Sequence, residues 1–400
     1  MTLQMHPIKT QFTPIITRKP VIKILGLGGG GSNAINRLIE LGMPDIEYIA
    51  ANTDIQALRQ SLAPKKIQLG PRLTRGLGAG GNPKIGEAAA EESARELNEA
   101  LSGADMVFVT AGMGGGTGTG SIAVAARVAR AAGAVTVAVV TTPFSFEVGR
   151  RQVNAREGLA RLQPHADTLI TVPNDRLLQI APRNLTLDLA FHLADDVLRQ
   201  GIQGIAELVT QPGLINVDFA NIRQVMQMGG GALMSIGIGE GEHKALKAVE
   251  QALHHPLLDS ISIEGANGII ANFTGGPHLS FLEVMEAMNH LQDLTHGQAE
   301  IIPGVIANPN MEDRTQVILV ITGLGATAIE APAAARIQVK EPAHIGAAVE
   351  SGPVMRSVAD VQVQPAPRPA RPVQQEPTME VSSITPVDID LPAFMRRRTR

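Results

Sequence analysis

From Val21 onward the chain alternates two textures of apolar residue. Short continuous runs (VIKILGLG, IEYIAANTD, MVFVTAG, AVTVAVVTTP, DTLITVPND) are separated by stretches such as NAINRLIELG and SIAVAARVARAAG, where apolar positions recur at helical spacing. Continuous β-branched runs between amphipathic helices are strands covered on both faces, so the pattern predicts βαβ units around a parallel sheet. LTLDLAFHLADDVLRQGIQGIAELV (185–209) then keeps one helical period long enough to serve as a spine. Beyond it, GGALMSIGIGEG, HKALKAVEQALHH, GIIANFTGG, SFLEVMEAMNHLQ and QVILVITGL predict a second, smaller α/β set ending near Leu324. From about Glu330 periodicity fades and nine prolines fall between Ala331 and Pro386. Such a segment buries too little to offset its ordering entropy and is predicted to be a disordered linker. The last thirteen residues, DIDLPAFMRRRTR, compress acids, an apolar centre and a basic end. That is the pattern of a short docking motif, with a solvated terminus as the plainer alternative.

Composition narrows the classes. With 400 residues and 44% apolar content the chain can form two globular units. A net charge of −4 gives no basic footprint, which speaks against nucleic acid as a partner. The absence of cysteine excludes a disulfide framework, a thiolate metal site and a cysteine nucleophile. With no tryptophan and 2% aromatic residues, the core must be built from Ala, Val, Ile and Leu. The N-terminal twenty residues lack the apolar centre of a signal peptide, and no run reaches the roughly 18 apolar residues of a membrane span. A cytoplasmic protein without a direct span is expected.

The chemistry concentrates where strands meet helices. In GLGGGGSNAINRL (26–38) Gly26, Gly28 and Gly31 satisfy G-x-G-x-x-G between a strand and a helix. Backbone amides at such a helix start, with the positive end of its dipole, cradle phosphate. Alone the motif suggests a dinucleotide site, or merely a glycine-rich turn. Two further loops alter that reading: GLGAGGNP (76–83) and AGMGGGTGTGS (111–121) also precede helical stretches. Several converging loops suit a triphosphate better than a pyrophosphate. The acid after the second strand, Asp54, sits in NTD beside Asn52 and Thr53 rather than alone, so a nicotinamide-dependent oxidoreductase becomes the runner-up. No G-x-x-x-x-G-K-[ST] occurs, which rules out a P-loop. The phosphates would be held by amides, the Thr117 and Thr119 hydroxyls, and a divalent cation.

GGGTGTG at Gly114 to Gly120 resembles the signature of the tubulin and FtsZ superfamily, and the flanking loops are similar to those of bacterial cell-division proteins of the FtsZ family. The resemblance runs from about Lys19 to Ala326 and includes the tail peptide. It implies an α/β, tubulin-like GTPase fold with a parallel sheet, a long central helix and a smaller α/β domain. The implied organisation is a flexible extension (1–19), a GTP-binding domain (20–184), the central helix (185–210), the C-terminal α/β domain (211–327) with a catalytic loop at 216–224, a disordered linker (328–386) and a docking peptide (387–400). It further implies that GTP or GDP phosphates lie against Gly28, Gly29, Gly30, Gly31, Ser32, Asn33, Asn52, Asp54, Ala79, Gly80, Gly81, Gly114, Gly115, Gly116, Thr117, Gly118, Thr119 and Gly120, with Mg2+ as the cation. Glu147 and Arg151 match ribose- or phosphate-contacting positions, although a surface salt bridge is the plainer reading of both. Asn174 matches the residue at the guanine edge, Phe191 the aromatic that stacks on the base, and Asp195 the acceptor for guanine N1 and N2. By periodicity alone Phe191 would be core, with Asp195 or Asp196 on a solvated face.

None of the glycine loops holds a general base or an arginine finger. In the family the missing group arrives from the next subunit of a filament, in a loop that here reads NVDFANIRQ. Asp218 matches its first acidic position, but Asn221 stands where a second aspartate is usual. An amide orients water yet accepts no proton, so slow turnover is expected, with compensation by Asp218 as the alternative. The implied partners are further copies of the chain, head to tail, and membrane-tethering division proteins docking on Leu391 and Phe394, at the division site on the inner face of the membrane. A filament paralogue with little or no hydrolysis is the competing reading.

Overall fold

A computed structural model describes residues 19–324, apart from 44, 148, 181–185, 212, 216, 230 and 259–261. The first half alternates as its apolar runs predict: β1 (Ile22–Leu27), α1 (Gly28–Glu40), β2 (Ile46–Asn52), α2 (Ile55–Gln60), β3 (Lys65–Gln68), α3 (Pro71–Thr74), α4 (Pro83–Glu92), α5 (Ala94–Leu101), β4 (Met106–Gly112), α6 (Thr117–Ala131), β5 (Val135–Thr142), α7 (Arg150–Leu162), β6 (Thr168–Pro173) and α8 (Asn174–Ile180). The second half comprises α9 (Leu187–Thr210), α10 (Phe219–Gln227), β7 (Gly231–Glu240), α11 (Lys244–Leu253), β8 (Gly268–Gly275), α12 (Phe281–Leu294), β9 (Glu300–Ala307) and β10 (Arg314–Thr322).

β1 to β6 pair only in parallel, and all but the edge strand β3 are buried along most of their length, which is why they read as unbroken apolar runs rather than alternating ones. The strand order is β3-β2-β1-β4-β5-β6-β7-β10-β8-β9. β7 is the junction: Gly231 and Ala232 pair in parallel with Leu169 and Ile170 of β6, and the rest of β7 runs antiparallel to β10. The two sets of strands therefore share one hydrogen-bonded ladder, which apolar patterning gives no means of seeing.

Side-chain layers on both faces of the parallel strands set the position of the site. On one face Ala34, Ile35 and Leu38 of α1 join Leu198, Ile202 and Ile205 of α9 against Phe108, Val137 and Val139. The same cluster takes in Ile270, Ile318 and Val320 of the later strands, so α9 packs against both halves of the sheet. On the other face Leu97, Ile122, Ala125 and Leu159, from α5, α6 and α7, cover Val107, Val109 and Val140. α9 has 24 residues, begins at Leu187, and is capped by Thr186, whose hydroxyl accepts from Leu189 N–H.

Candidate functional site

Neighbouring strands β1 and β4 launch their helices onto opposite faces, α1 onto one and α6 onto the other. The order β3-β2-β1-β4 makes the gap between β1 and β4 a switch point, where the carboxyl ends of parallel strands leave a crevice. Both helix N-termini open into it. Neither α1 nor α6 has a side-chain cap or an acidic residue in its first turn; α3, α7 and α11 share this, whereas Asp54, Asn82, Thr186, Asp218 and Ser280 cap α2, α4, α9, α10 and α12. Two sets of unsatisfied amides and two positive dipole ends thus meet where an anion fits.

The glycines divide by what a β-carbon would strike. At Gly28 (φ +69°) it would lie 2.9 Å from Gly118 N, so the two loops touch backbone to backbone. At Gly31 it would lie 2.4 Å from Thr110 O, and at Gly120 2.0 Å from Pro83 O. Gly116 packs the same way against Ala79 and Asn82, while Gly30 and Gly118 approach Gly112. These residues are small because helices and strands close on them. Gly29 and Gly115 differ: their φ is negative, and no atom lies within 4 Å of the place a β-carbon would take. Protein packing does not require glycine at either.

Side chains close the loops on one another. Thr117 Oγ1 and Thr53 Oγ1 lie 2.6 Å apart, and Gly78 N–H donates to Thr53 O, tying the first NTD residues to the other loops. Asn154 of α7, which no sequence motif marks, donates from Nδ2 to Gly114 O (3.2 Å) and Gly81 O (3.4 Å). Gly80 and Gly81 are exposed, and Ala79 is buried beneath them. Two of the expected phosphate residues also hold the loops themselves. The Thr119 hydroxyl is buried and accepts from Gly114 N–H at 2.8 Å, because the turn needs that bond to close. Asp54 Oδ1 accepts from Gln56 N–H and Ala57 N–H, capping α2, while Asn52 Oδ1 takes Asp54 N–H. Ser32 Oγ is buried without a hydrogen-bond partner.

Where the resemblance expects the base, β6, α8, α9 and α1 bring the remaining candidates together. Asn174 starts α8 where β6 ends; it is 5% exposed, and its Oδ1 has no hydrogen-bond partner. Phe191 is 39% exposed rather than core and meets Phe144 edge to face at 5.5 Å, with Phe146 stacked on Phe144 at 5.1 Å. The two consecutive acids of α9 part company. Asp196 points along the helix to Arg199 (2.7 Å) and Gln200 (2.6 Å). Asp195, with a side chain 15% exposed, turns towards α1, where Arg37 lies 3.8 Å away and Asn33 hydrogen-bonds to it. Burial pushes its pKa up to about 6, against the pull of Arg37 and Asn33. Arg37, like Asn154, carries no sequence signal. Glu147 accepts from Phe144 N–H at 3.0 Å and pairs with the exposed Arg151, so the ion pair of the plainer reading is present.

Asp218 and Asn221 are not brought to this crevice. Both are exposed at the start of α10, where Asp218 Oδ1 accepts from Ala220 N–H at 3.1 Å. The end of α10 is fixed by Thr168 Oγ1, which donates to Met226 O. Thr168 is the first residue of β6 and Asn174 follows its last, so α10 sits at the amino edge of the sheet and the glycine loops at the carboxyl edge. α9 alone spans about 36 Å between the two ends. Among the described residues no group of three or more His, Asp or Glu is arranged to hold a metal, and no helix is long and apolar enough to cross a membrane. The extension before residue 19, the linker, and the tail with Leu391 and Phe394 lie outside the described residues.

Residues 21–182 match the model of the tubulin/FtsZ family GTPase domain, and residues 230–325 that of the FtsZ family C-terminal domain. Among solved structures, an empty FtsZ dimer from M. jannaschii is 48% identical, covering 77% of this chain and 89% of that one, with a TM-score of 0.74. CetZ2 from Haloferax volcanii, a GTPγS-bound protofilament, shares the fold at 20% identity over 76% of this chain and 92% of its own, with a TM-score of 0.63.

Proposed function

The chain belongs to the tubulin/FtsZ family of GTPases, and on that premise we propose that it is a filament-forming protein of bacterial cell division that hydrolyses GTP between successive subunits. The observation that carries the nucleotide half is the pair of uncapped helix N-termini, α1 and α6, side by side at the switch point. The triphosphate lies over Gly29 and Gly115, where a β-carbon would otherwise have open space. Asn174 offers an unpartnered Oδ1 and Asp195 an acceptor carboxylate, and guanine, unlike adenine, presents adjacent N1 and N2 donors to it. The exposed Phe191 ring stacks on the base, and the Glu147–Arg151 pair borders the ribose. A hard cation such as Mg2+ binds mainly through phosphate oxygens and water, which suits a site whose nearby side-chain oxygens are Thr53, Thr117 and Asn52.

The assembly half rests on the separation of Asp218 and Asn221 from the glycine loops. One chain cannot bring its own α10 to its own phosphates, but a second copy stacked amino edge to carboxyl edge can. That contact is heterologous and non-closing, so it propagates as a filament, in line with the dimer and protofilament of its structural neighbours. The neighbouring subunit's Asp218 then accepts a hydrogen bond from the attacking water while Asn221 orients it, and hydrolysis waits on assembly. With an amide at 221, turnover is slow. The tail, through Leu391 and Phe394, tethers filaments to membrane-bound division proteins. Light scattering and phosphate release, with and without GTP, test the reading together: GTP-dependent scattering with phosphate release that appears only above an assembly threshold is expected. Scattering without any phosphate release favours the non-hydrolysing paralogue, for which Asn221 is the one motivating residue.

A further inference from the structure

Three consecutive residues at the start of α8 reach three different parts of the molecule. Asn174 holds a buried, unpartnered Oδ1, which the proposed function assigns to guanine. Asp175 Oδ1 accepts from Ser145 N–H at 2.7 Å and so holds the loop bearing Phe144, Phe146 and Glu147. Arg176 Nη1 donates to Pro256 O at 2.8 Å and Leu257 O at 3.2 Å, in the turn that follows α11. That turn belongs to the half of the chain beyond α9, and it is built firmly. Leu258 N–H donates to His255 O (2.8 Å) and Leu257 N–H to His255 Nδ1 (3.3 Å). Burial pulls the His255 pKa down to about 4, so its ring stays neutral and Nδ1 stays an acceptor near neutral pH. Leu257 is buried in the cluster that contains Leu177 of α8 and Val172 of β6, whereas Leu258 is buried with Ala248 and Val249 of α11. The turn is therefore wedged between the two halves, with two carbonyls presented to one guanidinium.

We infer that Arg176 is a positioning residue, which by gripping the 256–257 carbonyls sets Asn174 against guanine and makes nucleotide occupancy and the seating of the 255–258 turn depend on each other. The inference rests on the guanine reading of Asn174 proposed above. The physical basis is short. Charge-assisted bonds are strong, and both leave from one nitrogen, Nη1, so a lysine ammonium can replace them in part. A residue two positions from Asn174 on one rigid turn of helix cannot shift without moving it. If occupancy favours the seated turn, the seated turn favours occupancy by the same factor.

The test uses the full chain. Fluorescent GDP and its adenine counterpart are titrated against the native protein, Arg176→Ala and Arg176→Lys, and hydrogen exchange at Leu257 and Leu258 is followed in the native protein with and without saturating GDP. Expected are a roughly tenfold loss of GDP affinity in Arg176→Ala, a smaller loss for the adenine analogue so that selectivity narrows, partial recovery in Arg176→Lys, and slower exchange at both leucines with GDP. Native affinity and selectivity in Arg176→Ala overturn the inference. So does an equal loss for both bases without recovery by lysine, which marks a merely structural role. If Arg176→Ala does not fold, native exchange decides, and leucine amides indifferent to GDP sink the coupling. A native chain that binds no GDP instead removes the guanine reading itself, an outcome distinct from all of these.

Discussion

Asp195 and Asp196 are adjacent acids with opposite surroundings, and their contrast shows what a residue owes to its neighbours. Asp196 is satisfied by its own helix, while Asp195 is buried against α1 with its pKa raised to about 6 from 3.8. Because folding raises that pKa, the nucleotide-free chain is helped by Asp195 at low pH and loses that help as pH rises from about 3.8 towards about 6. On the guanine reading proposed for Asp195, binding needs the ionised form and runs the other way. GDP affinity measured by equilibrium titration is expected to be roughly tenfold weaker at pH 5 than at pH 7.5, and Asp195→Asn should bind weakly with no such pH dependence. Asn221 gives a second prediction. If the amide limits proton acceptance, Asn221→Asp raises phosphate release at equal filament mass by about tenfold or more; equal rates would show that Asp218 suffices.

At the scale of elements, the strand-to-helix junctions explain why glycine clusters there for two separate reasons. Gly120 is glycine because α4 lies on it, whereas no protein atom crowds Gly29, where we place the phosphates. Gly120→Ala forces a β-carbon onto Pro83 O and should lower the melting temperature even without nucleotide. Gly29→Ala meets only open space inside a helix, so it should leave the fold as stable or add up to about 1 kcal/mol, while GTP affinity falls; melting curves with and without GTP separate the two. The three loops, the strand and helix types and the long α9 are legible because each rests on local pattern: unbroken β-branched runs, helical periodicity, and glycine between them. Thr119 and Asp54 carry a second task that their motifs do not announce, because a hydroxyl or carboxylate in a glycine loop also accepts from the loop's own amides. Asn154 and Arg37 are silent because each acts on a segment remote in sequence.

For the whole molecule, the decisive fact is that the glycine loops and Asp218 occupy opposite edges of one sheet. Assembly in trans has a direct test in mixed subunits. Asp218→Ala, which keeps its nucleotide loops, and Gly29→Ala, which keeps its α10, should each release phosphate poorly, and an equimolar mixture should exceed the sum of the two. Removing residues 388–400 should leave GTP-dependent assembly intact and abolish recruitment to membranes carrying a tethering partner; loss of assembly would count against a separate docking role. The sequence alone determined the element types, the glycine loops between strand and helix and, through the ordered motifs, the family, because these depend on neighbours within a turn or two. Only tertiary structure decided that β7 joins the two strand sets, that Asp195 rather than Asp196 faces α1, and that α10 lies out of reach of its own glycine loops. Those outcomes depend on which remote segments strand order and burial bring together, and no local pattern encodes that.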